Sequence, residues 1–385
     1  MAKSPIVAVL DIGSSSISVV IAERGSNNTY RIHGQSEVEY SGFIDEDFLR
    51  EGELVDAIGH ALNQAQSRAN QTVSSIYVGV PGAFVALYAK EIEIPFKSSR
   101  IIVSEDLEDI FKKGAENLNS DGHTLIHSSA IHYKLSDGRY LDNPVGKKSD
   151  KLIGKVSYCY AKNTFVNKIY EILKHFKINK IDFISQNYAQ GLYLTTQEER
   201  DSSIVIFDIG YITTNVMLVS GKGLVYLKSF ALGGGHITAD IQECFNVPFD
   251  IAEQFKRKIV LSFCFDENGE YVIEDKGKTY RIKANTLHEN VKFRIAEMVS
   301  LVQTCLDNCK EDFLRTSKMY VTGGGILYMR GAKEYLAKQF DVMCMQAGGE
   351  NPEYSEPSKT STFAVLEMAL GKAKSKDSFI KRMFG

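Results

Sequence analysis

Tryptophan is absent from the 385 residues, proline occurs seven times, and neither sign of charge dominates, with 45 Lys+Arg against 48 Asp+Glu. That balance leaves no global basic field, so nucleic acid is not an expected partner. A hydrophobic share of 44% with few prolines excludes disordered and collagen-like chains. Apolar runs such as 5–10 and 203–209 fall far short of the ~20 residues a membrane-spanning helix needs. The opening residues MAKSPIVAVLDIG place Asp11 inside their apolar stretch and lack a cleavage pattern, so a secretory leader is not expected. The six cysteines (159, 244, 264, 305, 309 and 344) form no CxxC pair, and even Cys305 and Cys309, four apart on one helical face, have no His nearby. Buried thiols in a reducing compartment are expected rather than a disulfide or metal framework.

The length suggests two or three domains with an ample core. Ile6–Leu10 reads as a buried strand, followed by the turn Asp11–Ser16 and a returning strand over Ile17–Ala22. A strand–turn–strand unit differs from the strand–turn–helix of a Rossmann or P-loop site. Helical spacing over Glu53–Ala69 precedes a strand at Ser75–Gly79. A distinct block then runs from Phe84 to Lys162. It is expected to hold a strand at Val85–Ile94, a helix at Ser104–Leu118 N-capped by Ser104, further strands over Thr124–Leu135, a turn at Asp142–Gly146 and a strand at Lys155–Ala161. A helix over Thr164–His175 follows, so the block reads as a small α+β module inserted in a larger domain.

The opening pattern then recurs. VAVLDIGSSSISVVIA near the N-terminus and SIVIFDIGYITTNVML from Ser203 share an apolar strand, Asp-Ile-Gly, a hydroxyl-bearing stretch and a second strand. A hairpin of this kind exposes backbone N–H groups and Ser or Thr hydroxyls at its tip, which suit phosphate oxygens. An ionised Asp beside phosphate requires a cation, and Mg²⁺ bridges carboxylates to phosphates while retaining water. Two such hairpins, Asp11/Ser14/Ser15 and Asp208/Thr213/Thr214, could hold a magnesium nucleotide between two lobes. Two glycine runs add candidate approach points for a ligand backbone. Gly233, Gly234 and Gly235 open an apparent helix, and Gly323, Gly324 and Gly325 lie between a strand and a helix expected over Tyr328–Gln339.

This order of motifs resembles the actin/Hsp70/hexokinase superfamily and, more narrowly, the FtsA family of bacterial cell-division proteins. The residues that carry the likeness are DIGSSSISVVIAE, SGFIDEDFLREGELVDAIGHALNQAQ, LDNPVGKKSDKLIGKV, ALGGGHITADI, IAEQFKRK and VTGGGILYMRG. The resemblance implies an α/β, actin-like ATPase fold, with two related lobes around a nucleotide cleft and an inserted α+β subdomain of the FtsA 1C type. The implied boundaries are 1–83 with 163–195 for subdomain 1A, 84–162 for 1C, 196–228 with 313–371 for 2A, and 229–312 for 2B, then a basic connector and tail over 372–385. The cofactors implied are ATP and Mg²⁺. Asp11 and Asp208 would lie near the metal, and Gly13, Ser14, Ser15, Ser16, Gly210, Thr213 and Thr214 would contact phosphates. Gly233, Gly234 and Gly235 would approach the ribose, Glu253 and Lys256 would face ribose and adenine, and Gly323, Gly324 and Gly325 would pack against the adenosine. On the residues alone, Glu253 and Lys256 are equally an exposed i,i+3 helical pair. The chain departs from the family where Ser16 replaces a lysine and where Tyr211, Ile212 and Asn215 replace two glycines and an aspartate. Weak or negligible ATP turnover is therefore expected.

After Gly371-Lys-Ala-Lys-Ser-Lys376 the chain ends in DSFIKRMFG. At helical spacing Phe379, Ile380, Met383 and Phe384 share a face while Lys381 and Arg382 lie on another, which suits an anionic membrane surface. The FtsA resemblance implies a membrane-targeting helix there, homopolymer filaments, a peripheral location on the cytoplasmic face of the membrane at the division site, and docking of the C-terminal peptide of FtsZ on subdomain 2B. Lys292 and Arg294 are candidate contacts for that acidic peptide. The alternatives are a sugar-kinase-like phosphotransferase, for which no general-base Asp stands out, an Hsp70-like chaperone, for which no peptide-binding domain follows, and a pilus-assembly relative of FtsA.

Overall fold

The β-branched run of the N-terminus forms β1 (Val7–Ile12), which turns back into β2 (Ser16–Arg24) and then β3 (Tyr30–Glu39), all antiparallel neighbours. The computed structural model describes residues 4–384 except Asn28, Asn117, Asn119, 263–268, 310–318 and 347–355, and the side chains of Gln346 and of 375–384. A short pair, β4 (Phe43–Ile44) and β5 (Asp47–Phe48), leads into α1 (Glu51–Ala69), whose Leu54, Ile58, Ala61, Leu62 and Ala65 recur at helical spacing and are buried. The chain returns to the sheet as β6 (Ser75–Val80), parallel to β1.

The inserted block follows, made of β7 (Val85–Ile101), α2 (Ser104–Ala115), β8 (His123–Leu135), β9 (Tyr140–Leu141) and β10 (Lys148–Lys162). Its sheet runs β7-β10-β8-β9 around a core of its own that includes Ile110, Tyr133, Leu152 and Tyr158. Two expectations are corrected here. Residues 124–135 form one long strand, not several. The N-cap of α2 is Val103, because Asp106 at N3 accepts the Val103 N–H (2.9 Å) and is itself held by Arg100, which leaves Ser104 inside the first turn.

Next come α3 (Asn163–His175), β11 (Lys180–Ser185), α4 (Gln186–Leu194) and α5 (Gln197–Asp201). β11 completes a five-stranded sheet of order β11-β6-β1-β2-β3. The second half repeats this arrangement. β12 (Ile204–Ile209), β13 (Thr214–Ser220) and β14 (Gly223–Phe230) are antiparallel neighbours. They are followed by α6 (Gly234–Phe245), α7 (Phe249–Lys258), the hairpin β15 (Glu270–Asp275) and β16 (Lys278–Lys283), and α8 (Ala284–Asp307). β17 (Met319–Thr322), α9 (Ala332–Phe340) and β18 (Cys344–Gln346) then return the chain to the sheet, whose order β14-β13-β12-β17-β18 matches that of the first, strand for strand.

α9 starts at Ala332, beyond Gly331 (φ 79°), and not at Tyr328, so the second glycine run opens a set of turns rather than a helix N-terminus. The last element, α10 (Thr360–Phe384), is one continuous helix. A connector breaking the helix after Leu370 is not observed: one exposed glycine costs a helix only about 1 kcal/mol, and no proline interrupts the Lys, Ala and Ser that follow.

A helix near the end of each half crosses to the sheet of the other. Phe363, Val365, Leu366, Ala369 and Leu370 of α10 are buried against Val7, Val9, Val20 and Ala22 of the first sheet. Tyr188 and Leu194 of α4 are buried with Ile206, Met217, Val219 and Leu224 of the second.

Candidate functional site

The duplicated hairpins close identically. Gly13 N–H donates to Ser16 O and Gly210 N–H to Thr213 O, both at 2.9 Å. Asp11 and Asp208 occupy equivalent strand positions, opposite Ser18 and Asn215. The two tips meet: the Ile212 N–H donates to Ser14 Oγ at 3.1 Å, and the Ile212 side chain lies against Gly42. Gly42 (φ 84°) must be glycine, since a Cβ there would collide with Ser14 O.

One helix holds both carboxylates. Gln186 Nε2 donates to Asp11 Oδ1 (2.8 Å) and to Ile12 O (2.9 Å), and Gln190 Nε2, one turn later on α4, donates to Asp208 Oδ2 (3.0 Å). Asp11 also accepts from Ser361 Oγ at Oδ1 (2.9 Å) and from Thr362 Oγ1 at Oδ2 (2.7 Å), both in the first turn of α10. Burial pushes the Asp11 carboxyl up to about 6, against the opposing pull of the Thr362, Ser361 and Gln186 hydrogen bonds, and the nearby Asp208 charge adds to the rise. Burial raises Asp208 as well, opposed by its bonds to Gln190 and Asn215. Among the described residues no Lys, Arg or His pairs with either carboxylate. Around them, the Asn187 carboxamide, Gln190 Oε1 and Asn215 Oδ1 are buried without a hydrogen-bond partner among the described residues. A buried carboxylate and a half-buried one without a counter-cation among the described residues, beside orphaned carboxamide oxygens, are a donor set that suits a hard, oxygen-seeking cation.

The other sequence-chosen residues are placed as follows. Ser15 sits at the first tip, where its carbonyl accepts from Tyr40 N–H, and Ser16 Oγ donates to Glu37. Thr213 is buried at the second tip, and the Thr214 hydroxyl donates to Leu232 O (2.6 Å). The glycine runs are committed to backbone packing. Gly234, Gly235 and Gly325 donate their N–H groups to the carbonyls of Gly210, Tyr211 and Ile209, and Gly233 N–H donates to His236 Nδ1. A Cβ on Gly234 would strike Gly325 O, and one on Gly325 would strike Gly210 O. Gly323 (φ 94°) makes the tight turn out of β17, and Gly324 faces Ser358 and Tyr328.

Glu253 and Lys256 are not an exposed pair. Lys256 is buried (1%), with Nζ 2.7 Å from Glu253 Oε2, donating to Gly234 O (3.0 Å) and lying over the Tyr211 ring. Burial works to raise Glu253, but Lys256, Thr238 and Arg257 outweigh it, and the net shift is downward. Lys256 is lowered by burial, which Glu253 offsets only in part. Arg257 lies over Tyr328, so cations and aromatic rings line this flank of the second hairpin.

Lys292 lies over the Tyr335 ring, while Arg294 makes a two-pronged bridge to Asp240 (2.6 and 2.8 Å) that ties α8 to α6. Between them Phe293 is 76% exposed. Phe379, Ile380, Lys381, Arg382, Met383 and Phe384 belong to α10, but their side chains lie outside the described residues, as does Cys264. No helix among the described residues is long and apolar enough to cross a membrane.

Comparison with known proteins adds to this geometry. The family model described as cell division protein FtsA matches residues 205–365. FtsA of Neisseria meningitidis serogroup B is 22% identical over 372 residues, covering 94% of this chain and 90% of that protein. FtsA of Escherichia coli K12 is 22% identical over 334 residues, covering 86% and 79%. This chain is similar to the FtsA proteins over most of its length. Its fold is actin-like: a PilM–PilN type IV pilus biogenesis complex aligns with TM-score 0.64 at 15% identity, over 96% of this chain and 99% of that one. MreB5 of Spiroplasma citri bound to AMPPNP aligns with TM-score 0.58 at 12% identity, over 98% and 99%.

The residues that carry the FtsA likeness do not include Gln186, Gln190, Ser361 or Thr362, which the sequence reading missed. The available signal was two polar residues one turn apart in the otherwise apolar QNYAQGLYL, and a hydroxyl cluster, TST, opening the helix that ends the second half.

Proposed function

We propose that this chain is an actin-like, ATP-binding cell-division protein that polymerises on the cytoplasmic face of the membrane at the division site and tethers FtsZ filaments there. The reading rests on the similarity to FtsA, and the observation that carries it is the meeting of the two hairpin tips, with Asp11 and Asp208 both held by one helix, α4. Bound Mg²⁺ would neutralise triphosphate charge, with Asp11 and Asp208 holding it through water. The nucleotide would lie along the flank formed by Tyr211, Glu253, Lys256 and Tyr328. Because Ser14 and Ile212 bridge the tips, entry of the triphosphate requires the lobes to part.

Hydrolysis is slow in this reading. Asn215, a neutral carboxamide, stands where the family commonly places an aspartate, and Ser16 supplies no positive charge. Turnover of many ATP per second by the purified chain would refute this point.

The C-terminal helix would lie on anionic lipid through Phe379, Ile380, Met383 and Phe384, with Lys381 and Arg382 toward the headgroups. One such segment binds weakly, and a filament presenting many binds by avidity. The FtsZ peptide would dock on the face of α8 around Phe293, with Lys292 and Arg294 flanking it. The test is ATP-dependent co-sedimentation with phosphatidylglycerol-containing vesicles, imaged by electron microscopy, beside anisotropy of a labelled FtsZ C-terminal peptide. Filaments on vesicles and micromolar peptide binding are expected. A monomer that ignores vesicles and peptide alike overturns the reading.

A further inference from the structure

The first turn of α10 and its last turns face two different tasks. At its start, Ser361 and Thr362 reach out of the helix to both oxygens of Asp11, some 350 residues away in sequence, while Thr360 meets Thr322 of β17 through their hydroxyls (2.9 Å). Its middle is clamped to the first sheet: Glu367 takes a two-pronged bridge from Arg24 (2.7 and 2.5 Å) and a hydrogen bond from Tyr30 (2.8 Å), and Phe363 stacks on the Tyr30 ring. The helix then continues without a break through Gly371 to Phe384. At 1.5 Å per residue, the fourteen residues beyond Leu370 carry the helix about 21 Å past its clamp.

We propose that Ser361 and Thr362 are positioning residues of the nucleotide site, and that α10 is a lever coupling occupancy at Asp11 to engagement of the C-terminal segment with a lipid surface. The inference rests on the nucleotide and membrane roles proposed above. A hydrated cation at Asp11 brings water donors to a carboxylate whose Oδ1 already accepts from Gln186 and Ser361 and whose Oδ2 accepts from Thr362, so it competes with the two hydroxyls and favours a re-aimed or shifted first turn of α10. A continuous helix passes a shift or rotation at one end to the other, which a flexible linker cannot do. By linkage, the effect is reciprocal: whatever factor membrane engagement applies to nucleotide affinity, the nucleotide applies to membrane affinity. Asp11 is the point of competition because all three of its donors are neutral groups that a cation can displace.

The experiment uses the full chain below the concentration at which it pellets alone. The dissociation constant of a fluorescent ATP analogue with Mg²⁺ is measured with and without vesicles of phosphatidylglycerol and phosphatidylethanolamine. Vesicle partition is measured with and without saturating nucleotide. The wild-type chain is expected to show a matching change of about fivefold or more in both. Insertion of six Gly/Ser residues after Gly371 should leave each affinity, measured separately, at its wild-type value while the ratio falls to one. Ser361→Ala with Thr362→Val should change the Mg²⁺ dependence of nucleotide binding and also abolish the ratio, and Thr362→Ser, which keeps the hydroxyl, should preserve both. If the double variant does not fold, the insertion decides. A wild-type ratio of one with both affinities measurable overturns the lever alone, as does a ratio that survives the insertion. A chain that binds no nucleotide, or no vesicle, overturns the proposed function and the lever with it.

Discussion

Asp11 is a carboxylate that folding buries beside Asp208 and surrounds with neutral donors. Its folded value of about 6 lies above the ordinary 3.8, so folding favours the protonated form. The stability this group contributes is complete below the ordinary carboxylate range and is lost as the pH rises through 6. Between pH 4.5 and 7.5 the wild-type chain should therefore lose about 2 kcal/mol relative to Asp11→Asn. Denaturant titrations of the two proteins at pH 4.5 and 7.5, without Mg²⁺ or nucleotide, read this directly, and a gap that does not move in favour of the variant contradicts it. Lys256 is the complementary case, a buried cation whose only anionic partner among the described residues is Glu253. Lys256→Met strands that carboxylate, and the cost should sit near the lower end of the usual ~3–5 kcal/mol, because Thr238 and Arg257 still hold Glu253. Thermal melts measure the loss.

Glycines with opposite roles separate the elements. Gly325 lies where a Cβ would strike Gly210 O, so Gly325→Ala must push the second glycine run off the second hairpin and should cost more than about 2 kcal/mol. Gly371 lies inside α10, exposed, with nothing near its missing Cβ, so Gly371→Ala should raise stability by up to about 1 kcal/mol. Denaturant midpoints of the two variants should move in opposite directions. The strands and the repeat were legible because period and composition act locally: VAVLDI and IVIFDI each announce a buried strand ending in Asp, and the structure sets them in sheets of matching order. What escaped depended on distant partners. The cap of α2 went to Val103 because Asp106 was fixed by Arg100, and the glycine amides found hairpin carbonyls that no local pattern reveals. Four of the donors to the carboxylates come from helices outside either Asp-Ile-Gly hairpin, and polar residues in apolar helices do not announce what they bind.

At the scale of the molecule, the insert does more than extend the first lobe. The turn between β13 and β14 rests on it so closely that a Cβ on Gly221 (φ 53°) would strike Ile131 O. His127, on the same strand as Ile131, is half-buried with its ring tilted against Tyr188 of α4, and burial, helped by the Lys372 charge, pushes its imidazole down to about 4. Gly221→Ala should therefore loosen the insert from the second lobe, and limited proteolysis should cut β8 and β10 faster while the flank of Tyr211, Glu253 and Lys256 stays intact. The exchanged helices carry a further consequence. A chain severed between Asp201 and Ser203 would yield an amino-terminal piece lacking the helix that seals its own sheet and a carboxyl-terminal piece holding that helix with nothing to cover. Neither piece is an independent folding unit, so the two should be insoluble apart and should reconstitute one particle when produced together.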